Sequence, residues 1–106
     1  MFKDERMIFV YITNPSKKEA ERIALHLLKK RLIACANIFP VDSRYWWMGT
    51  IEKAKEYAIL AKTLEKNFGK VKKEVKRIHK YTIPEIAKIE AEANKDYEDW
   101  LRKEVR

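Results

Sequence analysis

The side chains that could do chemistry are few and widely separated. Cys35 is the only cysteine in the chain, and His79 and Glu85 come much later. A thiol beside an imidazole can act as a nucleophile with its base. Thiolate and imidazole are also the ligands that soft or borderline metal ions such as copper prefer, and Glu85 could add an oxygen. Because their spacing is not that of a C-x-x-C chelate, only the fold or a second subunit could bring them together.

Signatures of common enzyme classes are absent from the sequence. It has no glycine-rich phosphate loop, no H-E-x-x-H motif and no nucleophile elbow. A lone buried cysteine is usually an inert core residue, so we expect a protected thiol at Cys35. We therefore predict that the protein is not an enzyme and has no catalytic residues.

A second unusual feature is an unbroken row of large apolar residues, Tyr45-Trp46-Trp47-Met48, followed by Gly49. Neighbouring residues on a strand point to opposite faces of a sheet. If this segment is a strand, apolar groups leave both of its sides. Helices packed on one face of a small sheet cover only half of that surface, so another partner must cover the rest.

The elements that position these residues follow from local patterns. Met7–Tyr11 is apolar on both faces and predicts a central strand, and Ser16–Glu19 spells an S-x-x-E capping box at the start of a helix. That first helix is predicted over Ser16–Leu32. The later predictions are strands over Ala34–Val41 (closed at about Pro40), Arg44–Met48 (after which Gly49-Thr50 turns) and Ile51–Thr63, a helix over Leu64–Lys80, an edge strand over Ile86–Glu92, and a last helix capped by Asn94 or Asp96.

The order βαββαβ plus a C-terminal helix predicts an α+β, ferredoxin-like fold. We expect residues 1–106 to form one domain in which two helices cover one face of an antiparallel sheet. The opposite face would be bare in an isolated subunit, and bare apolar area of this kind marks an interaction surface.

Composition restricts the partners only weakly. Lys and Arg number 24 against 16 Asp and Glu, a net charge of +8, but Glu and Lys interleave almost everywhere, which favours a solvated mixed surface. The chain is 38% charged with only 2 Gly and 3 Pro, a profile typical of heat-stable proteins. The charged start Met1–Arg6, the short apolar run Met7–Ile12 and the absence of any disulfide pair predict a cytoplasmic protein without a membrane partner.

Two kinds of partner could cover the bare face. In self-association each copy buries the same patch, and the expected interface residues are Trp46, Trp47, Tyr57 and Trp100. The alternative is RNA, which stacks on open four-stranded sheets that carry aromatic rings. The strand Glu56–Thr63 lacks the aromatic RNA-recognition signature, and aliphatic Ile59 and Leu60 suit burial better. Self-association is therefore favoured, with no nucleic-acid partner.

A set of motifs, taken in order, resembles one known family. The set consists of Val10-Tyr11-Ile12-Thr13, Pro15, Glu19-Ala20, Arg31–Asn37, Tyr45–Gly49, Lys62-Thr63, His79–Ile86, Tyr97 and Trp100. Each motif alone is ordinary, but the combination is similar to the CutA family of divalent-cation tolerance proteins. The resemblance extends from about Ile8 to Trp100.

The resemblance implies a tight homotrimer with a role in tolerance to copper and other divalent ions. It requires no cofactor, although Cu²⁺ or another divalent cation is an expected ligand, with Cys35, His79 and Glu85 as the candidate metal residues. We also expect a ligand cleft between subunits, and the nearby Lys62 would favour an anionic small molecule there. The predicted cleft residues are Asn37, Tyr45, Trp47, Lys62, Tyr81 and Pro84.

The sequence departs from the family pattern at two places. Met48 stands where relatives commonly have an acidic residue between the second Trp and Gly. The usual H-P-Y-E/D-V-P appears as His79-Lys80-Tyr81-Thr82-Ile83-Pro84. Two commonly acidic positions are thus neutral, and a cation site that depended on either would be weakened.

Overall fold

The computed structural model describes residues 5–106. The first four residues of the predicted charged start lie outside this range. The elements are β1 (Met7–Asn14), α1 (Lys17–Lys29), β2 (Cys35–Trp47), β3 (Thr50–Leu64), α2 (Phe68–Ile78), β4 (Ile86–Glu90) and α3 (Lys95–Glu104), with a 3-10 turn over Glu65–Asn67 before α2.

The four strands form one antiparallel sheet in the order β2-β3-β1-β4. The two apolar-on-both-faces strands, β1 and β3, are central, as their sequences predicted. Alternate residues of β1, Ile8, Val10 and Ile12, are fully buried in one cluster with residues of α1 and α2. The predicted α+β, ferredoxin-like fold is confirmed.

The opposite face of the sheet is covered only at one end. Phe9 and Tyr11 point to this face and are half-buried. Helix α3 contributes Leu101 and Val105 to a second, smaller cluster with Met7 and Leu64. Asn94 is the N-cap of α3, in agreement with the sequence. The remainder of this face, which we call the open face, carries no helix.

Strand β2 is one continuous element, whereas the sequence predicted a strand that ends near Pro40 and a separate extended segment. Pro40 pairs with Tyr57 in the β2–β3 register. Proline has no backbone N–H and is excluded from central strands, but β2 lies at the edge of the sheet and is bonded on one side only. The proline is therefore tolerated where the prediction placed a break.

The β2–β3 hairpin extends far beyond the rest of the sheet. Strand β1 pairs with β3 only over residues 57–64, so residues 41–47 and 50–56 pair with each other alone. We call this two-stranded extension the arm. The chain measures 45 × 23 × 21 Å along its principal axes, which fits such a projection.

Helix α2 begins later than predicted, at Phe68 rather than Leu64. Gly69 is therefore in the first turn of the helix rather than in its interior, and a Cβ added there would contact nothing within 4 Å. Close packing therefore does not explain the glycine at this position.

The arm ends in a two-residue loop at Met48 and Gly49. Their φ angles are 49° and 83°, both positive, as a type I′ hairpin turn requires. Glycine adopts this conformation without steric cost, whereas an L-residue with a Cβ does so at a cost of about 1–2 kcal/mol.

We predict that Met48→Asn stabilises the protein by up to about 1 kcal/mol, since Asn tolerates the left-handed region better than most residues. Thermal unfolding followed by circular dichroism measures the effect. The matched control, Met48→Val, places a β-branched residue at the same exposed position and should lower the melting temperature. Equal stability of the two variants would contradict the turn assignment.

Glu74 links α1 to α2. Its carboxylate Oε1 lies 2.7 Å from His26 Nε2, 2.6 Å from Arg77 Nη2 and 3.5 Å from Lys30 Nζ. His26 is half-buried against this carboxylate. The hydrogen bond from Arg77, followed by that from His26, lowers the pKa of Glu74 from 4.5 to about 2.

The lowered pKa of Glu74 predicts a pH-dependent contribution to stability. The folded state favours the ionised carboxylate, so the contribution is full above pH 4.5 and is lost as the pH falls towards about 2. Chemical denaturation of wild type and Glu74→Gln should therefore differ above pH 4.5 and converge between pH 4.5 and 2. A difference that stays constant over this window would show that the carboxylate contributes nothing through its charge.

Candidate functional site

The candidate site is a cleft of about 750 Å³ on the open face, at the base of the arm. One wall is β1, through Tyr11 and Thr13. The second wall is the arm, through residues 42–45, Trp47 and Glu56, and the third is the loop at residues 80–83 with Glu85. The cleft thus exists because the arm extends beyond β1 and the loop before β4 folds over the gap.

His79 anchors that loop to the sheet. Its Nδ1 accepts a hydrogen bond from the backbone N–H of Tyr81 at 2.9 Å, and its Nε2 lies 2.8 Å from the carbonyl oxygen of Thr13. Since a nitrogen that accepts from an N–H carries no proton, the proton is on Nε2, which donates to Thr13. Both ring nitrogens are therefore used within the subunit, and the His79 ring packs 4.9 Å from that of Tyr81.

Tyr81 continues the connection into the cleft. Its hydroxyl donates a hydrogen bond to Glu56 Oε2 at 2.6 Å, and Glu56 is only 7% exposed. Burial, and then this hydrogen bond, raises the pKa of Tyr81 well above its usual value of 10. Burial, and then the charges of Glu85 and Glu56, also raises the pKa of Tyr11. Both phenols therefore remain protonated donors, and two carboxylates lie near the same tyrosine.

The predicted cleft residues fall into two groups. Tyr45, Trp47 and Tyr81 line the cleft, and Pro84 lies in the loop that closes it. Asn37 and Lys62 lie elsewhere on the open face, at the end nearer α3, where the Lys62 ammonium contacts the Asn37 side chain. The Lys62 ammonium also lies 5.8 Å from the centre of a phenylalanine ring on β1. Lys62 is therefore outside the cleft that forms within one subunit, and its role beside a cleft between subunits stays a prediction.

The predicted metal residues are not brought together in one subunit. Cys35 pairs with Lys62 on β3, and Lys62 in turn pairs with Phe9 on β1. His79 instead bonds to Thr13, which lies four residues, or about 13 Å, further along β1 than Phe9. Among residues 5–106, no three His, Cys, Asp or Glu side chains are placed to hold a metal ion. Of the two ways in which Cys35, His79 and Glu85 could meet, the fold of one subunit therefore does not bring them together, and a site formed between subunits stays a prediction. Cys35 instead interacts with the side chain of Tyr97 on α3, and burial, then this thiol, raises the pKa of Tyr97.

Three of the four predicted interface residues are exposed in the subunit: Trp46 by 72%, Trp47 by 45% and Trp100 by 42%. Tyr57 differs, because it packs on the main core at the helix-covered face. Trp46 pairs with Ile51, itself 60% exposed, while the adjacent Trp47 points to the opposite side. Both faces of the arm therefore carry exposed apolar side chains within the subunit.

Sequence reasoning missed Glu56, the most deeply buried carboxylate of the cleft. A signal was available, since Glu56 immediately precedes Tyr57–Ala61, a run of residues without a polar side that indicated a central strand. A charged residue that adjoins such a run is close to the buried part of the sheet. What the pattern could not show is that the loop carrying Tyr81 closes over it.

The chain matches one known protein family over almost its whole length. Residues 8–104 match the family described as "CutA1 divalent ion tolerance protein". The chain belongs to the CutA1 family. A relative from Archaeoglobus fulgidus, named divalent-cation tolerance protein CutA, is 50% identical over 98 residues, which are 92% of this chain and 96% of the relative. The protein of the same name from Pyrococcus horikoshii is 42% identical over 101 residues, 94% of this chain and 99% of the relative.

Solved CutA1 structures have the same fold. The Archaeoglobus fulgidus protein, described as a periplasmic divalent cation tolerance protein, superposes with a TM-score of 0.92 at 48% identity and covers 94% of this chain and 99% of its own. CutA1 from Oryza sativa gives a TM-score of 0.92 at 33% identity, with 95% and 94% covered. The family resemblance read from the sequence is confirmed. Within the described range, residues 5–106, no helix is both long and apolar enough to cross a bilayer.

Proposed function

We propose that this CutA1 family member is a non-catalytic homotrimer of the cytoplasm that acts in tolerance to divalent cations, copper among them. The names of the Archaeoglobus and Pyrococcus relatives support the cation role. The single cysteine suits a reducing compartment. Because the Archaeoglobus structure is described as periplasmic, cell fractionation is the appropriate check of the compartment.

The observation that supports assembly is the arm. An isolated two-stranded hairpin is marginally stable in water at best, yet this one projects with Trp46, Trp47 and Ile51 exposed. Burying one tryptophan removes about 150–250 Å² from water, roughly 4–6 kcal/mol at the usual coefficient. Arms that pack on neighbouring copies would supply this burial, and the free edge of β2 offers backbone groups for pairing between subunits. The family resemblance implies that the assembly contains three subunits.

Ion binding in this proposal uses donors from more than one subunit. His79 has both ring nitrogens engaged, so it is a poor ligand unless the loop detaches from β1. Cys35 is half-buried on the edge strand β2 and is the one thiol of the chain, a soft donor of the kind that copper prefers. A copper site at Cys35 would therefore form where edge strands of different copies approach.

The first prediction of this proposal concerns subunit assembly. Light scattering of the wild-type protein should give three times the 12.7 kDa subunit mass. Trp46→Glu should dissociate the assembly, since it places a charge in the apolar contact of the arm. Leu25→Glu is the matched control because Leu25 is 51% exposed on α1, away from the arm. A wild-type mass of one subunit would overturn the proposal.

Copper titration by calorimetry gives the second prediction. Cys35→Ser should weaken Cu²⁺ binding at least tenfold, whereas His79→Ala should change the affinity less, as its nitrogens bond within the subunit. Unchanged affinity in both variants would remove these ligands from the mechanism. The same preparations, mixed with RNA, should show no salt-dependent mobility shift. Such a shift would favour the alternative in which Phe9 and Tyr11 on the open face stack on bases.

A further inference from the structure

Glu56 is a buried carboxylate without a cationic partner in its own subunit. It is 7% exposed, and among residues 5–106 no Lys, Arg or His side chain forms an ion pair with it. The side-chain hydrogen bond that it accepts comes from the neutral hydroxyl of Tyr81. A carboxylate can accept about four hydrogen bonds, so most of its capacity is unused. Buried charges in proteins are normally paired, so the unused acceptor capacity of this carboxylate favours a cationic partner.

The surroundings of Glu56 are suited to a cation with an apolar body. Aromatic rings from all three walls line the cleft: Tyr11 from β1, Tyr45 and Trp47 from the arm, and Tyr81 from the loop. The faces of such rings attract cations, and attract them more strongly where water is excluded. The volume of about 750 Å³ is that of a small-molecule site rather than of a single ion.

The other charged groups of the cleft lie nearer to solvent. Glu85 and Asp42 add negative charge, and Arg44 and Lys80 add positive charge, but all four are exposed. The Arg44 guanidinium donates to the neighbouring carbonyl of Ser43 rather than to Glu56. Exposed charges are hydrated and screened, whereas Glu56 is only 7% exposed and its charge is screened less. The deep part of the cleft is therefore negative, while its rim is mixed.

A metal ion fits this cleft less well than an organic cation does. Among the residues that the structure describes, no three acidic, His or Cys side chains converge as ligands. Hard divalent ions need six or more oxygens, and soft ions need sulfur or nitrogen. An ammonium group instead needs one to three acceptors and a wall of aromatic carbon. Glu56 and the tyrosine hydroxyl oxygens supply the acceptors.

We propose that the cleft binds a small organic ammonium ion, with the ammonium group on Glu56 and the hydrocarbon part between the rings of Tyr11, Tyr45 and Trp47. This cleft lies within one subunit and goes beyond the proposed function; it is distinct from the predicted cleft between subunits, where Lys62 was expected to favour an anion. The buried carboxylate at this cleft, and the position of Lys62 outside it, favour a cation here.

The test uses phenethylammonium chloride as the probe and the native protein in its own oligomeric state. Calorimetric titration should detect binding of phenethylammonium, and 2-phenylethanol, which replaces the ammonium with a neutral hydroxyl, should bind at least tenfold more weakly. Glu56→Gln should lower the affinity for the ammonium at least tenfold and leave that for the alcohol unchanged. Glu52→Gln removes the same charge on the same strand outside the cleft, so it should bind like wild type.

Other outcomes separate this inference from the wider proposal. Equal affinity for the ammonium and the alcohol, no binding of either, or an unaffected Glu56→Gln variant would overturn it. If Glu56→Gln does not assemble, as checked by light scattering, Tyr45→Ala serves instead, because it removes an exposed ring without touching the carboxylate; it should weaken ammonium binding several-fold. Protein that binds Cu²⁺ but not the ammonium would retain the metal role and refute the inference. A single-subunit mass together with ammonium binding would refute the homotrimer and support the inference.

Discussion

The central strands of the sheet have apolar side chains on both faces, whereas α1 and α2 cover only one of them. The helices bury Ile8, Val10 and Ile12 in the core. Phe9 and Tyr11, at the alternate positions of β1, remain half-buried. Helix α3 covers one end of the open face, and the remainder carries no helix of the chain. The same imbalance is stronger in the arm, which has no helix on either side. The proposed assembly would complete a hydrophobic core that one subunit leaves unfinished.

The cleft is a consequence of that geometry rather than a separate addition. The arm extends beyond β1, and it leaves a gap at its base. The loop before β4 closes the gap, and it is held there by a neutral His79 that accepts from Tyr81 and donates to β1. Tyr81 then reaches Glu56. His79, a candidate metal ligand in the sequence, is therefore a structural anchor of the loop. Tyr81 donates the hydrogen bond that the buried Glu56 carboxylate accepts.

Much of the architecture could be predicted because it depends on local pattern. Periodicity located all three helices and the central strands, and the S-x-x-E motif located the start of α1, where Ser16 accepts from the Glu19 amide at 3.1 Å. The errors occurred where position in the sheet overrides local preference. Pro40 by itself predicts the end of a strand, but proline is tolerated here because β2 lies at the edge of the sheet. Gly69 looked like a costly helix interior, but the helix begins one residue before it.

The sequence by itself determined the family, the order of the elements and the surplus of apolar surface, since these depend on residue types and their spacing along the chain. The tertiary structure decided which polar groups meet. Cys35 and His79 are separated because strand register places them at different ends of the sheet, while Glu56, Tyr11 and Tyr81 converge from three distant segments. Contacts between remote residues depend on register and loop closure, and neither is encoded in local spacing.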